Sequence, residues 1–272
     1  MSPIYFLAAF AFICQLSTSS GQFKLEYYDA QNKDLDVLRV WYNMVKNPLD
    51  ESKAMKQLED EAKNQANKRG TKMNEYLNRA KNLNKRVNGL TRAECLVVSM
   101  YTDDSSPTAF YREYNTASIN RNWQPYRVYT TLLVSAIRKL AHMDPVPPGT
   151  ILYRGVSFRP VNPTAKRIFW KTFTSTSLSY EISKGFAGAN GILMTFQMPP
   201  TRFAGRVRKL SYFPDENEVI LLPFEAYDVA GITDKQFNFQ SSRTQALLIP
   251  GGDHIELRDG DQGGGKGQGD SG

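Results

Sequence analysis

Apolar residues recur at helical spacing through the first half of the chain and at strand spacing through the second. Leu35, Leu38, Tyr42 and Val45 follow the i, i+3, i+7 pattern, as do Met73, Tyr76, Leu77, Ala80, Leu83 and Val87, which is the stripe of an amphipathic helix. Tyr126, Tyr129, Leu132, Leu133, Ala136, Ile137 and Leu140 outline another. Thr91-Arg92-Ala93-Glu94 has the form of a capping box just ahead of an apolar run, and so predicts a helix start. Glu51 to Lys68 is densely charged and weakly periodic; it reads as a solvated helix without chemistry of its own. Pro145, Pro147, Pro148 and Gly149 then end the helical patterning. Beyond them Ile151–Val156, Ile168–Thr174, Ile192–Met198, Val219–Val229 and Ala246–Ile249 are strand-like runs separated by turn residues. A helical half followed by a β half predicts an α+β fold, with the helices packed against an antiparallel sheet. No internal repeat is visible.

The two ends of the chain have a different character. Ile4 to Leu16 is apolar and uncharged, and the small polar stretch Ser17-Thr18-Ser19-Ser20-Gly21 follows it. The run is too short to span a bilayer, which takes about 20 residues, and reads as a secretory leader cleaved between Ser17 and Gln22. Its amino-terminal side lacks Lys and Arg, so a buried helix is the alternative. Asp259 to Gly272 is glycine-rich and is expected to be disordered; it has none of the apolar tail that a glycolipid anchor signal requires. The expected division is therefore a signal peptide at 1–21, one domain at 22–258 (helical over about 34–142, β-rich over about 150–258) and a disordered tail at 259–272. The mature protein is expected to be extracellular, untethered and monomeric.

Composition narrows the function classes. The 272 residues are 41% hydrophobic and 22% charged, which suits a globular protein and excludes disordered, collagen-like and multi-span membrane chains. The net charge of +7, from 34 Lys and Arg against 27 Asp and Glu, admits an anionic partner. The cations, however, are dispersed over Lys53–Lys85, Arg138 and Lys139, and Arg202–Lys209. They form no aromatic-interleaved stripe, and nucleic acid is not expected as a partner. The two cysteines and two histidines, Cys14, Cys95, His142 and His254, lack ligand spacing, so no metal is expected. Loss of the leader removes Cys14, leaving Cys95 without an internal partner, as a buried inert thiol among Ala93, Leu96, Val97 and Val98.

No phosphate-binding glycine loop follows a strand, and there is no Gly-x-Ser-x-Gly elbow. Three segments of the β half carry more. In Leu152-Tyr153-Arg154-Gly155-Val156 an arginine lies in an otherwise apolar strand, where its planar fork needs a phosphate, a carboxylate or an internal salt bridge. Phe173-Thr174-Ser175-Thr176-Ser177-Leu178-Ser179 gathers hydroxyls at a strand end; the alternatives are a solvent-facing edge or a cap for the segment at Glu181. In Ser211 to Pro223, Glu216 and Glu218 are two apart, which on an extended backbone turns both carboxylates to one side, next to an apolar strand. Burial and a like charge would raise the pKa of at least one.

In this order, after a helical half, the three segments resemble the Arg–Ser–Glu class of mono-ADP-ribosyltransferases, particularly the secreted and cell-surface arginine-specific enzymes of animals. The resemblance runs from about Leu90 to Val229 and includes Met100-Tyr101-Thr102, Ala109-Phe110-Tyr111-Arg112-Glu113-Tyr114-Asn115, Tyr153 to Val156, Phe173 to Ser179 and Tyr212 to Pro223. It implies a two-sheet β core with an NAD cleft and helices packed to one side. It implies NAD as co-substrate, no metal, and a protein with an accessible arginine as acceptor. Arg154 then contacts the phosphate and ribose side of NAD. Gly155 leaves room for nicotinamide, with its backbone free for the carboxamide. Ser175 orients Glu218, Ser177 supports the strand at the cofactor, and Glu218 stabilises the ribose cation by holding the 2′-OH. Glu216 holds the acceptor guanidinium and takes its proton. Tyr101, Ser211 and Phe186 are implied NAD contacts, Phe186 by stacking or else as a plain core residue. Asn32 to Asn88 has no place on the family pattern, and the disulfides of many relatives are not available here. NAD hydrolysis at the same site, or an inactive binding protein on the same fold, are the other readings.

Overall fold

In the computed structural model the described residues are 27–29, 41, 43, 45, 49–106, 108–157, 167–198, 204–223, 226–233, 236–241, 245–247 and 256–258. The expected leader and tail, and Leu35, Leu38 and Tyr42 of the first periodic stretch, lie outside them. Trp41 and Val45 of that stretch are helical and buried.

Besides the helical positions 41, 43 and 45, the first half has among the described residues the helices α1 (Glu51–Arg69), α2 (Met73–Leu83), α3 (Arg92–Thr102), α4 (Phe110–Ile119) and α5 (Arg127–Met143). The charged segment at 51–68 is α1, entered at Asp50, whose carboxylate accepts the Ser52 amide, and left at Gly70, which takes the left-handed conformation at φ 63°. Its face is not wholly solvated, because Ala54, Leu58 and Ala62 are buried against α2 and α5. The capping box predicted at Thr91–Glu94 is present, with the Glu94 amide donating to Thr91 Oγ1 at 3.2 Å and the Thr91 amide to Glu94 Oε2 at 2.7 Å.

Every residue of α3 from Ala93 to Thr102 is buried, so this helix is the axis of the helical half, with α2, α4 and α5 against it. Even Glu94 is buried. Burial alone would push its carboxyl up, but the Ser135 hydroxyl, Lys139 and the Thr91 amide hold it below its ordinary value.

The strands are β1 (Tyr27–Asp29), β2 (Ile151–Val156), β3 (Arg167–Trp170), β4 (Thr174–Ser177), β5 (Ile192–Gln197), β6 (Ala204–Arg206), β7 (Glu218–Leu221), β8 (Ala226–Ile232), β9 (Gln236–Ser241), β10 (Gln245–Leu247) and β11 (Glu256–Arg258), with a helix α6 (Tyr180–Ala187) after β4. Nine of them form one sheet in the order β1-β3-β8-β9-β5-β2-β4-β7-β6, and β10 pairs with β11 separately. The sheet is mixed, not antiparallel throughout, because β5 and β9 run parallel. Two expected strands each divide: Ile168–Thr174 into β3 and the start of β4, and Val219–Val229 into β7 and β8 around Leu222 and Pro223.

The expected two sheets are two lobes of one strand order. Strand β2 pairs with β5 at six positions but with β4 only at Tyr153↔Ser177. The lobes part at that junction. One apolar cluster fills the helices and reaches Phe173, Val207, Leu210 and Ile220, and a second lies within the sheet and spans both lobes, joining Leu152, Trp170, Phe196 and Tyr227 to Ala204, Val219 and Leu221.

Helix α5 has no side-chain cap at its own N-terminus. Glu61 of α1 supplies it, accepting the Val128 amide at 2.7 Å and the Tyr129 amide at 2.9 Å. Replacing Glu61 with Ala strands two amide donors in a largely buried place and should lower the unfolding free energy by about 2 kcal/mol. Urea denaturation monitored by circular dichroism measures this, and an unchanged midpoint would show that α1 contributes only its apolar face.

Candidate active site

The site begins where β2 and β4 part. Arg154 shares its strand face with Leu152 and Val156, both buried. Its own side chain is almost fully buried, and Nη1 donates to the Ser175 carbonyl at 2.8 Å, across the gap between the lobes. Helix α6 lies on β2 next to it. A Cβ on Gly155 would come within 1.8 Å of the Ser183 carbonyl oxygen, and one on Gly191 within 2.1 Å of the Ala187 carbonyl oxygen. The glycine after Arg154 therefore admits helix α6, and it also lines the cleft. The same close packing carries Phe186, half-buried, to the rim of the cleft.

Strand β4 lies between β2 and β7, so its hydroxyls are not a solvent edge. The Thr176 hydroxyl donates to the Val219 carbonyl at 2.7 Å. The Ser177 hydroxyl donates to the Glu216 carbonyl at 2.5 Å and accepts the Ser179 amide at 2.9 Å. Ser179 in turn caps α6, accepting the Ile182 amide at 3.4 Å. Ser177 thus holds the turn that carries Glu216, and the cap foreseen for the segment at Glu181 exists as well.

Glu216 and Glu218 reach one cleft by a different route from a pleated strand. Glu216 ends a short 3-10 turn (Pro214–Glu216), Asn217 takes the left-handed conformation at φ 48°, and Glu218 opens β7. Both side chains line the cleft with Arg154, Ser175 and Phe186. Glu218 is buried, which pushes its carboxyl up to about 7; the Ser175 and Ser211 hydroxyls and Arg154 oppose this, and Asp104 adds to it. Burial, then the charges of Glu218 and Asp104, push Glu216 up to about 8.

Two of the implied NAD contacts are placed elsewhere. Tyr101 lies in α3 behind the site, its ring 5.8 Å from that of Phe173 and its hydroxyl donating to the Phe173 carbonyl at 2.7 Å. It does not line the cleft; it fixes the chain two residues before Ser175. Ser211 is fully buried, and its hydroxyl lies 3.5 Å from Glu218 Oε2 while accepting the Phe213 amide at 3.0 Å. It faces the glutamate and not the open cleft.

Sequence reasoning passed over the residues of α3, and one after α2, that hold the loop at 210–212. Ser99 donates to the Leu210 carbonyl at 2.9 Å, Thr102 Oγ1 accepts the Tyr212 amide at 3.2 Å, and Lys85 donates to the Ser211 carbonyl. Asp104 was also missed. It is buried, paired with Arg112 at 2.8 Å, and its charge reaches both glutamates. Only a polar residue in an otherwise apolar helix could have signalled Ser99 or Thr102. His142 is exposed at the end of α5. Among the described residues no group of three His, Cys, Asp or Glu side chains is arranged to hold a metal ion.

An arginine on β2, a serine on β4 and a glutamate opening β7, around a cleft between diverging lobes beside a helical half, define the ADP-ribosyltransferase fold. The family model for NAD:arginine ADP-ribosyltransferase matches residues 40–242, and the chain belongs to that family, whose members transfer ADP-ribose from NAD. Among solved structures, the eucaryotic mono-ADP-ribosyltransferase ART2.2 matches at 20% identity and a TM-score of 0.55, over 79% of this chain and 91% of that one. A mutant of ART2.2 in complex with NAD matches at 19% identity and TM-score 0.48, over 81% and 90%. Plx2a, an ADP-ribosyltransferase toxin from Paenibacillus larvae, matches at 18% identity and TM-score 0.42, over 71% and 97%. No curated protein matches the sequence.

Two outcomes test this geometry. Gly155→Ala sets a methyl group into the backbone of α6 and should destabilise the protein by about 3 kcal/mol or more; a denaturation midpoint near wild type would mean that α6 shifts freely. The raised Glu216 carboxyl works in the opposite sense. The folded state keeps a proton that the unfolded chain releases above its ordinary value of 4.5, so stability falls as pH rises from there to about 8. Glu216→Gln should therefore raise the unfolding free energy at pH 9 by about 2 kcal/mol, with the gain shrinking toward pH 5. A gain independent of pH in thermal denaturation would contradict the burial of that carboxyl.

Proposed function

We propose that the protein is a secreted transferase that moves ADP-ribose from NAD to arginine side chains of a protein acceptor, releasing nicotinamide. One observation carries the arginine acceptor: a second carboxyl, Glu216, lines the cleft beside Glu218, held there by its own turn and by Ser177. Secretion rests on the apolar run Ile4–Leu16 and the small residues after it. An untethered, monomeric enzyme is part of the same proposal.

Arg154 presents its fork to the phosphate and ribose side of NAD, where a desolvated guanidinium finds the anion that its position favours. Phe186 offers a ring face to nicotinamide, and the Gly155 backbone faces the carboxamide. Glu218, ionised, accepts the ribose 2′-OH and opposes the positive charge that builds on the ribose as the bond from C1′ to the nicotinamide nitrogen breaks. Nicotinamide leaves with the bonding pair. A nitrogen of the acceptor guanidinium then bonds C1′, and its proton passes to Glu216. In the free protein Glu216 is held up at about 8, and an arriving guanidinium draws it down and ionises it, so the base forms when its substrate arrives.

Incubation with NAD labelled in both nicotinamide and adenosine, with agmatine as acceptor, tests the reading. Glu218→Gln should slow nicotinamide release by about 10²-fold or more with the fold intact, whereas Glu216→Gln should abolish labelling of agmatine and spare hydrolysis. Release of nicotinamide without labelled agmatine would make the protein an NAD glycohydrolase. No release at all would make it a binding protein.

A further inference from the structure

On the other side of Glu218 lies a larger recess. It runs from the end of α5 past the loop after α2 to the turn that follows β6 and meets the catalytic region at Asn217 and Glu218. Among the described residues four cationic side chains line it, from two segments far apart in the chain: Arg86 after α2, and Arg206, Arg208 and Lys209 at the end of β6 and in the turn after it. The acidic side chains lining it are Asp144, which lies 3.8 Å from Arg206, and Glu218 at the shared end. Arg86, Arg208 and Lys209 are exposed. The floor is aliphatic, with Leu140, Leu210 and Met143, the last 45% exposed.

We infer that this groove receives an acidic segment of the protein acceptor, with interspersed aliphatic residues, and so selects arginines that lie close to such a segment. The inference deepens the proposed arginine transfer and rests on it. Cations spread around a long recess match a chain bearing several carboxylates better than one compact pyrophosphate, and attract it from a distance. NAD has its own guanidinium in Arg154. Among the described residues no aromatic side chain lines the groove to offer bases a stacking surface, which disfavours nucleic acid. Aliphatic side chains between the cations give leucines or valines of a peptide an apolar surface. Because the groove ends at Glu218, a segment lying in it leaves a neighbouring arginine at the two glutamates.

The test has a binding arm and a turnover arm. A fluorescent peptide rich in Glu and Leu and without arginine is titrated with the full-length protein, alongside the same peptide with Gln for Glu and a DNA oligonucleotide of equal charge. The acidic peptide should bind at least about tenfold more tightly than its Gln counterpart, and more weakly as salt rises from about 50 to about 300 mM. The combined variant Arg86→Glu, Arg208→Glu, Lys209→Glu changes only exposed side chains and should weaken that binding by at least about tenfold. With acceptor peptides carrying one arginine, the variant should raise KM for the Glu-flanked peptide by a similar factor while kcat/KM for agmatine and KM for NAD stay within about twofold.

Equal binding of the Glu and Gln peptides, tighter binding of the oligonucleotide, or a raised KM for NAD in the variant would each overturn the inference. Failure of agmatine labelling in the wild-type protein would overturn the arginine-acceptor reading instead. The binding arm reads no activity, and it still decides what the groove holds.

Discussion

The architecture turns on the hydrogen bond from Arg154 to the Ser175 carbonyl at the place where β2 and β4 stop pairing. A sheet that stayed closed there would leave no cleft, and where it opens the hydrogen bond adds a polar tie to the apolar cluster that the two lobes share. The arginine does both jobs because its fork has donors to spare. One nitrogen ties the lobes, and on the proposed reaction the rest of the fork meets the anionic side of NAD. Burial makes the arrangement demanding: a guanidinium between Leu152 and Val156 cannot be left without acceptors. The ligand that fills its coordination is therefore also a ligand that tightens the junction of the lobes.

The helical half is what allows such a loosely joined sheet to hold its site. Helix α3 is apolar enough to be buried from end to end, yet it carries Ser99, Tyr101 and Thr102 on the side that meets the sheet. Their hydrogen bonds reach the strand before Ser175 and the loop before Glu216. Both halves of the active site are thus referred to one rigid helix. That helix is in turn fixed by a capping box at its start and by α2, α4 and α5 around it. The charged helix α1 adds to this through Glu61, which terminates α5.

What the sequence made legible follows the range of the forces involved. Period and caps are local, so the helices at 73–83, 92–102 and 127–143 and the strand at 151–156 could be read from the chain. The helix at 110–119 was not read as one, since its aromatic residues face several neighbours and blur the stripe. Strand β6, Ala-Gly-Arg, has no β pattern and exists because β7 needs a partner. At the site, the motif residues were identifiable by type and order, but what each touches was not. Gly155 answers to a helix thirty residues on, and Tyr101 to a backbone carbonyl seventy-two residues on. Long-range packing of this kind leaves no local trace.

The two glutamates show why such a site is kept despite its strain. Placed beside Asp104 and taken out of water, they hold protons that carboxyls ordinarily give up, and the fold is weaker at alkaline pH for it. Every partner of the proposed reaction brings positive charge to them: the pyridinium of NAD, the ribose as it loses nicotinamide, and the acceptor guanidinium. A site already satisfied by an internal cation would have little left to offer these species, and the difference in binding between ground state and transition state would shrink. On the proposed reaction Glu216, with no cation among the causes of its shift, gains one only when the acceptor arrives, and the hydroxyls of Ser175 and Ser211 fix where the negative charge of Glu218 appears when its proton leaves.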